Sequence, residues 1–359
     1  MTKTTRVMLA VLAVCGTSAA MAQSSVNIYG RVNTSVEHQK LGNASATGMV
    51  SNSSFIGFRG TEDLGNGLKA GFVLESQFNS DNGSADGGMN FKRNSEVNLS
   101  GNFGMLRLGS FDAYSYSVTA DFISMHNHDT GTSADALYTY AAGRGNTIAY
   151  RTPEIAGLNA EVQYRFGEKA KVKNDAVTPI DAWEDKGGWD LGVNYANGPL
   201  GLGFGYTQQK LNVLPGVATE SDEKVRQFAL RASYAIGDLT LGAYYQKAKS
   251  DEGADTYKRD AYRLAAMYTI GASELHANVG RATAVKKNGV KDSDSATQWT
   301  LAYNYNLSKR TKVYALYTNI NNTASADIDI TSKNSFSLVN TSTNNDKFRS
   351  IGVGVRHLF

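Results

Sequence analysis

Cysteine is nearly missing from this 359-residue sequence, with Cys15 its sole instance, and proline occurs only 4 times. No stretch reaches the roughly 20 consecutive apolar residues that a spanning helix needs, so no transmembrane helix is predicted. Excess charge of one sign is lacking too. The formal net charge is +3, of which Lys3 and Arg6 supply two units. Such a near-balanced chain carries no electrostatic signature of nucleic-acid binding.

The N-terminus accounts for the lone thiol. Lys3 and Arg6 precede the apolar stretch Val7 to Val14, and Ala20-Met21-Ala22 then offers small residues where a signal peptidase cuts. A secretory signal is therefore expected over residues 1–22, with the mature domain over 23–359. Cleavage removes Cys15, which excludes disulfides and thiolate chemistry from the mature chain. Lipidation at Leu12-Ala13-Val14-Cys15 fits less well, because Val14 is a poor residue before a lipidated Cys and Gly16 to Ala22 would be left unexplained.

What the chain does contain is 36 Gly, 19 Tyr and 14 Phe at a mean hydropathy of −0.34, a set tilted towards aromatic strands and glycine-rich turns. A transmembrane barrel has such a composition, since apolar side chains towards lipid alternate with polar ones towards a lumen and the average stays low. The alternation is present. Trp299, Leu301, Tyr303, Tyr305 and Leu307 oppose Gln298, Thr300, Ala302, Asn304 and Asn306. Val26, Ile28, Gly30, Val32 and Val36 oppose Asn27, Arg31, Asn33 and Glu37, and Ile351, Val353 and Val355 oppose Ser350, Gly352 and Gly354. Sixteen such segments are predicted, beginning with 25–37 and 53–63, passing through 239–249 and 259–270, and ending with 348–359. Tight connections such as Gly65-Asn66-Gly67 and Gly237-Asp238 alternate with long polar ones such as Gly167 to Gly187, as the two ends of a bacterial barrel do. An even count places both termini on the short-turn side, and a barrel of this size encloses water.

Several segments carry a family resemblance along the whole mature chain: Ser25-Val26-Asn27-Ile28-Tyr29-Gly30, Gly57-Phe58-Arg59-Gly60-Thr61-Glu62-Asp63-Leu64-Gly65-Asn66-Gly67-Leu68, Leu99-Ser100-Gly101-Asn102-Phe103-Gly104, Asn146 to Tyr150 followed by Pro153-Glu154-Ile155-Ala156-Gly157, and the ending Val355-Arg356-His357-Leu358-Phe359. The chain resembles the general porins of Gram-negative bacteria, in particular the betaproteobacterial type. That resemblance implies an all-β, 16-stranded antiparallel transmembrane β-barrel in the outer membrane, usually a homotrimer, with its third loop folded inward as a constriction. It also implies that Phe359 is read by the barrel-assembly machinery, and that small hydrophilic solutes and ions diffuse through the lumen without a cofactor.

The stretch from Leu108 to Gly143 has no Lys or Arg but carries Asp112, Asp121, Asp129 and Asp135. Arg31, Arg59, Lys69, Arg107 and Arg151 stand on the polar faces of the early strands. If the loop folds inward as the resemblance implies, the two sets are expected to face each other and set a transverse field, which a low-dielectric wall focuses. A solvated external loop is the plainer alternative. Phe55 and Ser110 stand where porins of this type often carry Arg, so the sign of ion preference is left open.

Other chemistry is thin. His126-Asn127-His128-Asp129 has metal-ligand residue types, but spacing alone is weak and no metal is expected. His38, His276 and His357 form no nucleophile pattern, and no phosphate-loop or dinucleotide motif stands between a strand and a helix. Tyr195, Tyr206, Tyr268 and Tyr317 read as interface girdles. A passive porin is the leading expectation; a solute-specific channel would need an aromatic or basic ladder along the lumen, and an outer-membrane barrel hydrolase would need a nucleophile beside a histidine.

Overall fold

The computed structural model describes residues 25–85, 88–120, 137–138, 145–167, 187–211, 223–291, 295–322 and 347–359. The strands in its first half are β1 (Ser25–Leu41), β2 (Ala44–Ser51), β3 (Phe55–Gly65), β4 (Leu68–Gln77), β5 (Asn94–Gly101), β6 (Gly104–Ser110), β7 (Thr147–Arg151), β8 (Leu158–Arg165), β9 (Gly188–Asn197) and β10 (Leu200–Leu211). There follow β11 (Glu223–Ile236), β12 (Leu239–Glu252), β13 (Asp255–Ile270), β14 (Ser273–Ala282), β15 (Lys286–Lys287), β16 (Val290–Lys291), β17 (Ala296–Asn306), β18 (Thr311–Asn322) and β19 (Lys347–Leu358). Among the described residues a short helix, α1 (Tyr114–Val118), interrupts them.

All ladders are antiparallel, and consecutive barrel strands pair in sequence order, with β14 pairing β17 across the β15–β16 hairpin. The sheet closes where β19 meets β1, from Arg31 opposite Leu358 to Leu41 opposite Phe348. Closure leaves no edge of unpaired N–H and C=O groups, which hydrocarbon could not solvate. β2 and β3 pair with successive parts of β1 and form one barrel strand. β15 and β16 form a hairpin rising beyond β14 and β17. The barrel therefore has sixteen strands, as the alternation predicts.

The break between β2 and β3 is a bulge, because Asn52, Ser53 and Ser54 stand against only two residues of β1. Ser53 takes a φ of 53°. The backbone is re-anchored by Asn52 N–H, which donates to Asn33 O at 2.8 Å. At the β3–β4 turn, Asn66 and Gly67 both have positive φ, 52° and 79°. In that geometry a two-residue hairpin matches the twist of its strands.

Directly opposed residues share a face, so one strand orients the whole wall. On β1, Asn33, Ser35, Glu37 and Gln39 are buried while Val32 and Val36 are exposed. Following the registers round the ring, the polar series points to the lumen and the apolar series outward, including Leu230, Leu264, Leu301 and Val353. Tyr234 and Tyr268 stand outward near the short turns. Phe204, Phe228, Tyr245 and Tyr262 form a second outward level, with successive ring centroids 5.5, 6.3 and 5.2 Å apart. On β11 and β13 the two levels lie six residues apart, about 20 Å along a strand, a fitting height for the apolar band between two aromatic girdles.

Two connections differ from the sequence-based expectation. The pattern predicts loops over 38–52 and 250–258, whereas β1 runs on to Leu41 and turns through Gly42-Asn43 into β2, and β12 turns through Gly253-Ala254 into β13. These extensions stand above the apolar band, where the outer face bears His38, Lys40, Lys249 and Lys258 in place of apolar side chains while Gln39 and Leu41 stay buried on the inner face. Alternation then disappears although pairing persists.

Candidate channel lumen

The inner wall near the short-turn end begins with Tyr29. Its hydroxyl donates to Glu75 Oε1 at 2.8 Å, and Arg93 Nε lies 3.0 Å from Glu75 Oε2. Phe55 opposes Arg31 across β1 and β3, and its ring lies 5.4 Å from the Arg31 guanidinium carbon and 4.5 Å from that of Arg93. Tyr29 and Phe55 meet edge to face at 6.0 Å, and Arg59 lies over the Tyr29 ring at 4.7 Å. Arg59, Tyr29, Phe55 and Arg93 thus combine cations and aromatic rings along one wall, an arrangement favoured by the ring quadrupole. Arg31 is itself steadied by the bulge, donating from Nε and Nη2 to Ser53 O at 3.1 and 2.8 Å.

A second cluster occupies β5 to β8. Arg107 donates from Nη1 to Glu161 Oε1 at 2.8 Å and from Nη2 to Glu96 Oε2 at 2.5 Å. Arg151 Nε donates to the other Glu161 oxygen at 2.7 Å, and Gln163 Nε2 donates to Oε1 at 2.6 Å. Glu161 is fully buried, and two cations with one amide satisfy it, as an enclosed carboxylate requires. The aromatic rings of Phe111 and Tyr114 cover Arg107 and Arg151, at 4.0 and 4.4 Å.

Those rings belong to the segment that leaves β6 and turns into the barrel. Its helix α1 lies on the inner faces of β8, β9 and β10. Three inward glycines make the seat: a methyl group at Gly192 would overlap Tyr114, at Gly203 the Val118 carbonyl, and at Gly205 Ser115. Asp190 fastens the helix to the seat. Its Oδ1 accepts from Ser115 N–H at 2.9 Å, while its Oδ2 accepts from Thr207 Oγ1 at 2.6 Å and from the Ser115 hydroxyl. Burial pushes the Tyr114 phenol above its ordinary pKa, and its hydroxyl donates to Asn159. Further along, Tyr138 packs edge to face on Tyr244 of β12 at 5.0 Å and accepts a hydrogen bond from Arg263 of β13. The parts of this connection at 111–120 and 137–138 therefore lie inside the barrel.

The site residues expected from sequence divide accordingly. All five cations point inward. β10, in the seat of α1, stands eight barrel strands from β1 in either direction, so Arg31 and Arg59 face the helix across the lumen. Arg107 and Arg151 do not. They stand beside α1 on its own side, because Glu96 and Glu161 draw them to the wall. Lys69 opposes Asp63 next to the β3–β4 turn. Asp112 lies just before α1, where its carbonyl accepts from Gln163 Nε2 at 3.2 Å. Asp121, Asp129 and Asp135, together with His126 and His128, fall outside the described residues, as does the expected signal. Phe359 lies at the closing seam, where its N–H donates to Gly30 O and its carbonyl accepts from Gly30 N–H, both at 3.2 Å. Sequence reasoning missed Glu96, Glu161 and Asp190, which appear there only as ordinary polar positions of alternating strands.

A family profile described as Gram-negative porin matches residues 8–325. The chain belongs to the Gram-negative porins. It is 37% identical to outer membrane porin protein 32 of Delftia acidovorans, over 99% of this chain and the whole of that one. It is 28% identical to the major outer membrane protein P.IB of Neisseria meningitidis serogroup B, over 79% of this chain and 73% of the other. Among solved structures, an anion-selective porin from Comamonas acidovorans superposes with a TM-score of 0.74 at 30% identity, covering 94% of this chain and all of that one. The trimer form of OmpT from Vibrio cholerae shares the fold with a TM-score of 0.69 at 20% identity, covering 94% of this chain and 99% of that one. This porin is accordingly an outer-membrane channel for passive diffusion, and its relatives point to a channel rather than an enzyme.

Proposed function

We propose that the porin is an anion-preferring diffusion channel, with its selective zone between α1 and the wall bearing Arg31, Arg59 and Arg93. The observation that carries this reading is the charge of that wall, where Arg31, Arg59 and Arg93 stand against the Phe55 and Tyr29 rings and Glu75 pairs with Arg93 at 3.0 Å. A low-dielectric wall focuses the positive field into the water, which raises the local anion concentration. The related porin from Comamonas acidovorans bears the description anion-selective. Asp112, with Asp121, Asp129 and Asp135 in the same connection, would supply the opposing negative side. The test is the reversal potential of single channels in a KCl gradient. Anion preference is expected, and it should decline for Arg59→Glu and for Arg93→Glu; cation preference in the unmodified protein refutes the reading.

The cation–aromatic ladder of Arg59, Tyr29, Phe55 and Arg93 favours a second reading, a channel with selective affinity for organic anions. Benzoate would then inhibit chloride current in a saturable manner, and Phe55→Ala would abolish the inhibition.

A homotrimer is part of the proposal, supported by the trimer form of the Vibrio cholerae relative. Conductance increments in groups of three would bear it out. Cleavage after Ala22 and recognition of Phe359 by the assembly machinery complete the proposed route to the membrane, and N-terminal sequencing of the inserted protein checks the first. No catalytic role is proposed.

A further inference from the structure

Arg263 of β13 points into the barrel and is fully buried, yet its printed partners on the wall and on the inward connection are all neutral. Its Nε donates to the Tyr138 hydroxyl, its Nη1 to Asn278 Oδ1, and its Nη2 to Gln298 Oε1 at 2.6 Å. The guanidinium carbon stands 5.1 Å from the centroid of the Tyr138 ring. Among the described residues, no carboxylate is within ion-pair distance of Arg263. The flanking inward positions are Tyr244 and Gln246 on β12, Ala261 and Ala265 on β13, and Gly280 and Ala282 on β14, none of them acidic. Gly280 makes the space, since a methyl group there would overlap both Arg263 Nη2 and the Tyr138 hydroxyl.

A guanidinium cannot shed its proton, so burial leaves its full charge in place. Enclosing a charge without a counter-ion is costly, and a neutral amide would hydrogen-bond the same groups without that cost. The contrast with the β5–β8 cluster lies in the sum of charges. Arg107 and Arg151 share Glu96 and Glu161 and cancel, whereas the group around Arg263 retains one positive unit. Hydrocarbon lies behind the wall and water in front of it, so the field of an enclosed charge is directed into the lumen. The registers place that charge close to the inward connection. Gly203, against which the Val118 carbonyl of α1 rests, opposes Arg231, Arg231 opposes Tyr244, and Tyr244 opposes Arg263. Arg263 is thus three barrel strands from the seat of α1, about 14 Å round the wall.

We propose that Arg263 is a selectivity determinant that permeating ions never touch, its uncompensated charge drawing anions into the lumen through the field alone. The proposal rests on the reading of this porin as an anion-preferring channel, and adds a fourth cation to Arg31, Arg59 and Arg93. Tyr138, Asn278 and Gln298 enclose the guanidinium, so a passing anion is attracted by it without pairing with it. Attraction of that kind raises the anion concentration in the lumen without retaining the ions.

The test uses the full-length porin in planar bilayers, with reversal potentials read in a KCl gradient at about 0.1 M salt. Arg263→Gln removes the charge and keeps an amide among the same partners. Gln298→Glu leaves Arg263 in place and supplies the missing counter-ion, so it neutralises the group without emptying it. For an ion passing at about 8 Å, either change should lower the anion-to-cation permeability ratio about twofold. Arg263→Lys and Tyr138→Phe keep the charge while breaking the hydrogen bond to Tyr138, and should leave the ratio unchanged. An unchanged ratio in both neutralised variants would overturn the proposal. So would an equal fall in all four variants, which would make Arg263 a support for Tyr138 alone. These comparisons hold whichever ion the unmodified porin prefers, and its own reversal potential decides the anion-preferring reading separately.

Discussion

Replacing Glu161 by Gln separates the electrostatic part of the lumen from its shape. The carboxylate is fully buried and accepts from Arg107, Arg151 and Gln163, so the isosteric amide retains packing and one acceptor while removing a unit negative charge. Arg107 keeps Glu96, but Arg151, one-third exposed, loses its carboxylate. With that exposure and the acceptor left behind, the stability loss should be about 2 kcal/mol, less than stripping a fully buried ion pair. For an ion passing at about 8 Å, removing one charge in water changes its energy by about 0.5 kcal/mol, with opposite sign for anion and cation. The two effects combine to a roughly fivefold rise in the anion-to-cation permeability ratio, which screening reduces to about twofold at about 0.1 M salt. Reversal potentials in a KCl gradient, at low and at molar salt, provide the assay. A shift towards cations, or one that does not shrink as salt rises, would refute the account of Glu161 as the charge that neutralises this wall.

Gly203→Val should lift α1 from its seat, because the added side chain overlaps the Val118 carbonyl; single-channel recordings should show larger or fluctuating conductance, with the barrel still resistant to heat in detergent. Asp190→Ala removes the acceptor shared by Ser115 and Thr207. Leaving such donors unpaired costs about 1–3 kcal/mol, visible as protease sensitivity near α1. Asp121→Arg should move the reversal potential further towards anions, and no movement would exclude Asp121 from the narrow zone. Gly30→Leu should slow membrane insertion, since its side chain would overlap the Phe359 ring, and pulse-chase folding of the exported chain measures the delay.

The barrel was legible wherever lipid lies on one side and water on the other. Val32 and Val36 against Asn33 and Glu37 fix which face is which, and the register transmits that choice to every strand. Legibility ended above the membrane, where His38, Lys40, Lys249 and Asp251 leave no polarity contrast to read. The inward direction of Arg31, Arg59, Lys69, Arg107 and Arg151 followed from the same alternation. Their partners did not, because Arg107 finds its carboxylates 11 and 54 residues away, through a ring of pairings that local pattern does not contain. One overlooked signal was available. Leu200-Gly201-Leu202-Gly203-Phe204-Gly205 places glycine at each inward position, and a wall stripped of side chains implies that something packs against it.

The seam between β1 and β19 bears on how the chain is made. Its pairs, such as Glu37 with Gly352 and Leu41 with Phe348, join residues separated by nearly the whole polypeptide. The first strand synthesised waits for the last, and until then two ladders have open backbone groups that hydrocarbon cannot satisfy. A ribosome that stops early, or a protease that trims the end, therefore yields a chain that cannot settle in lipid. The topology thus inspects its own completeness before a hole is opened in the membrane.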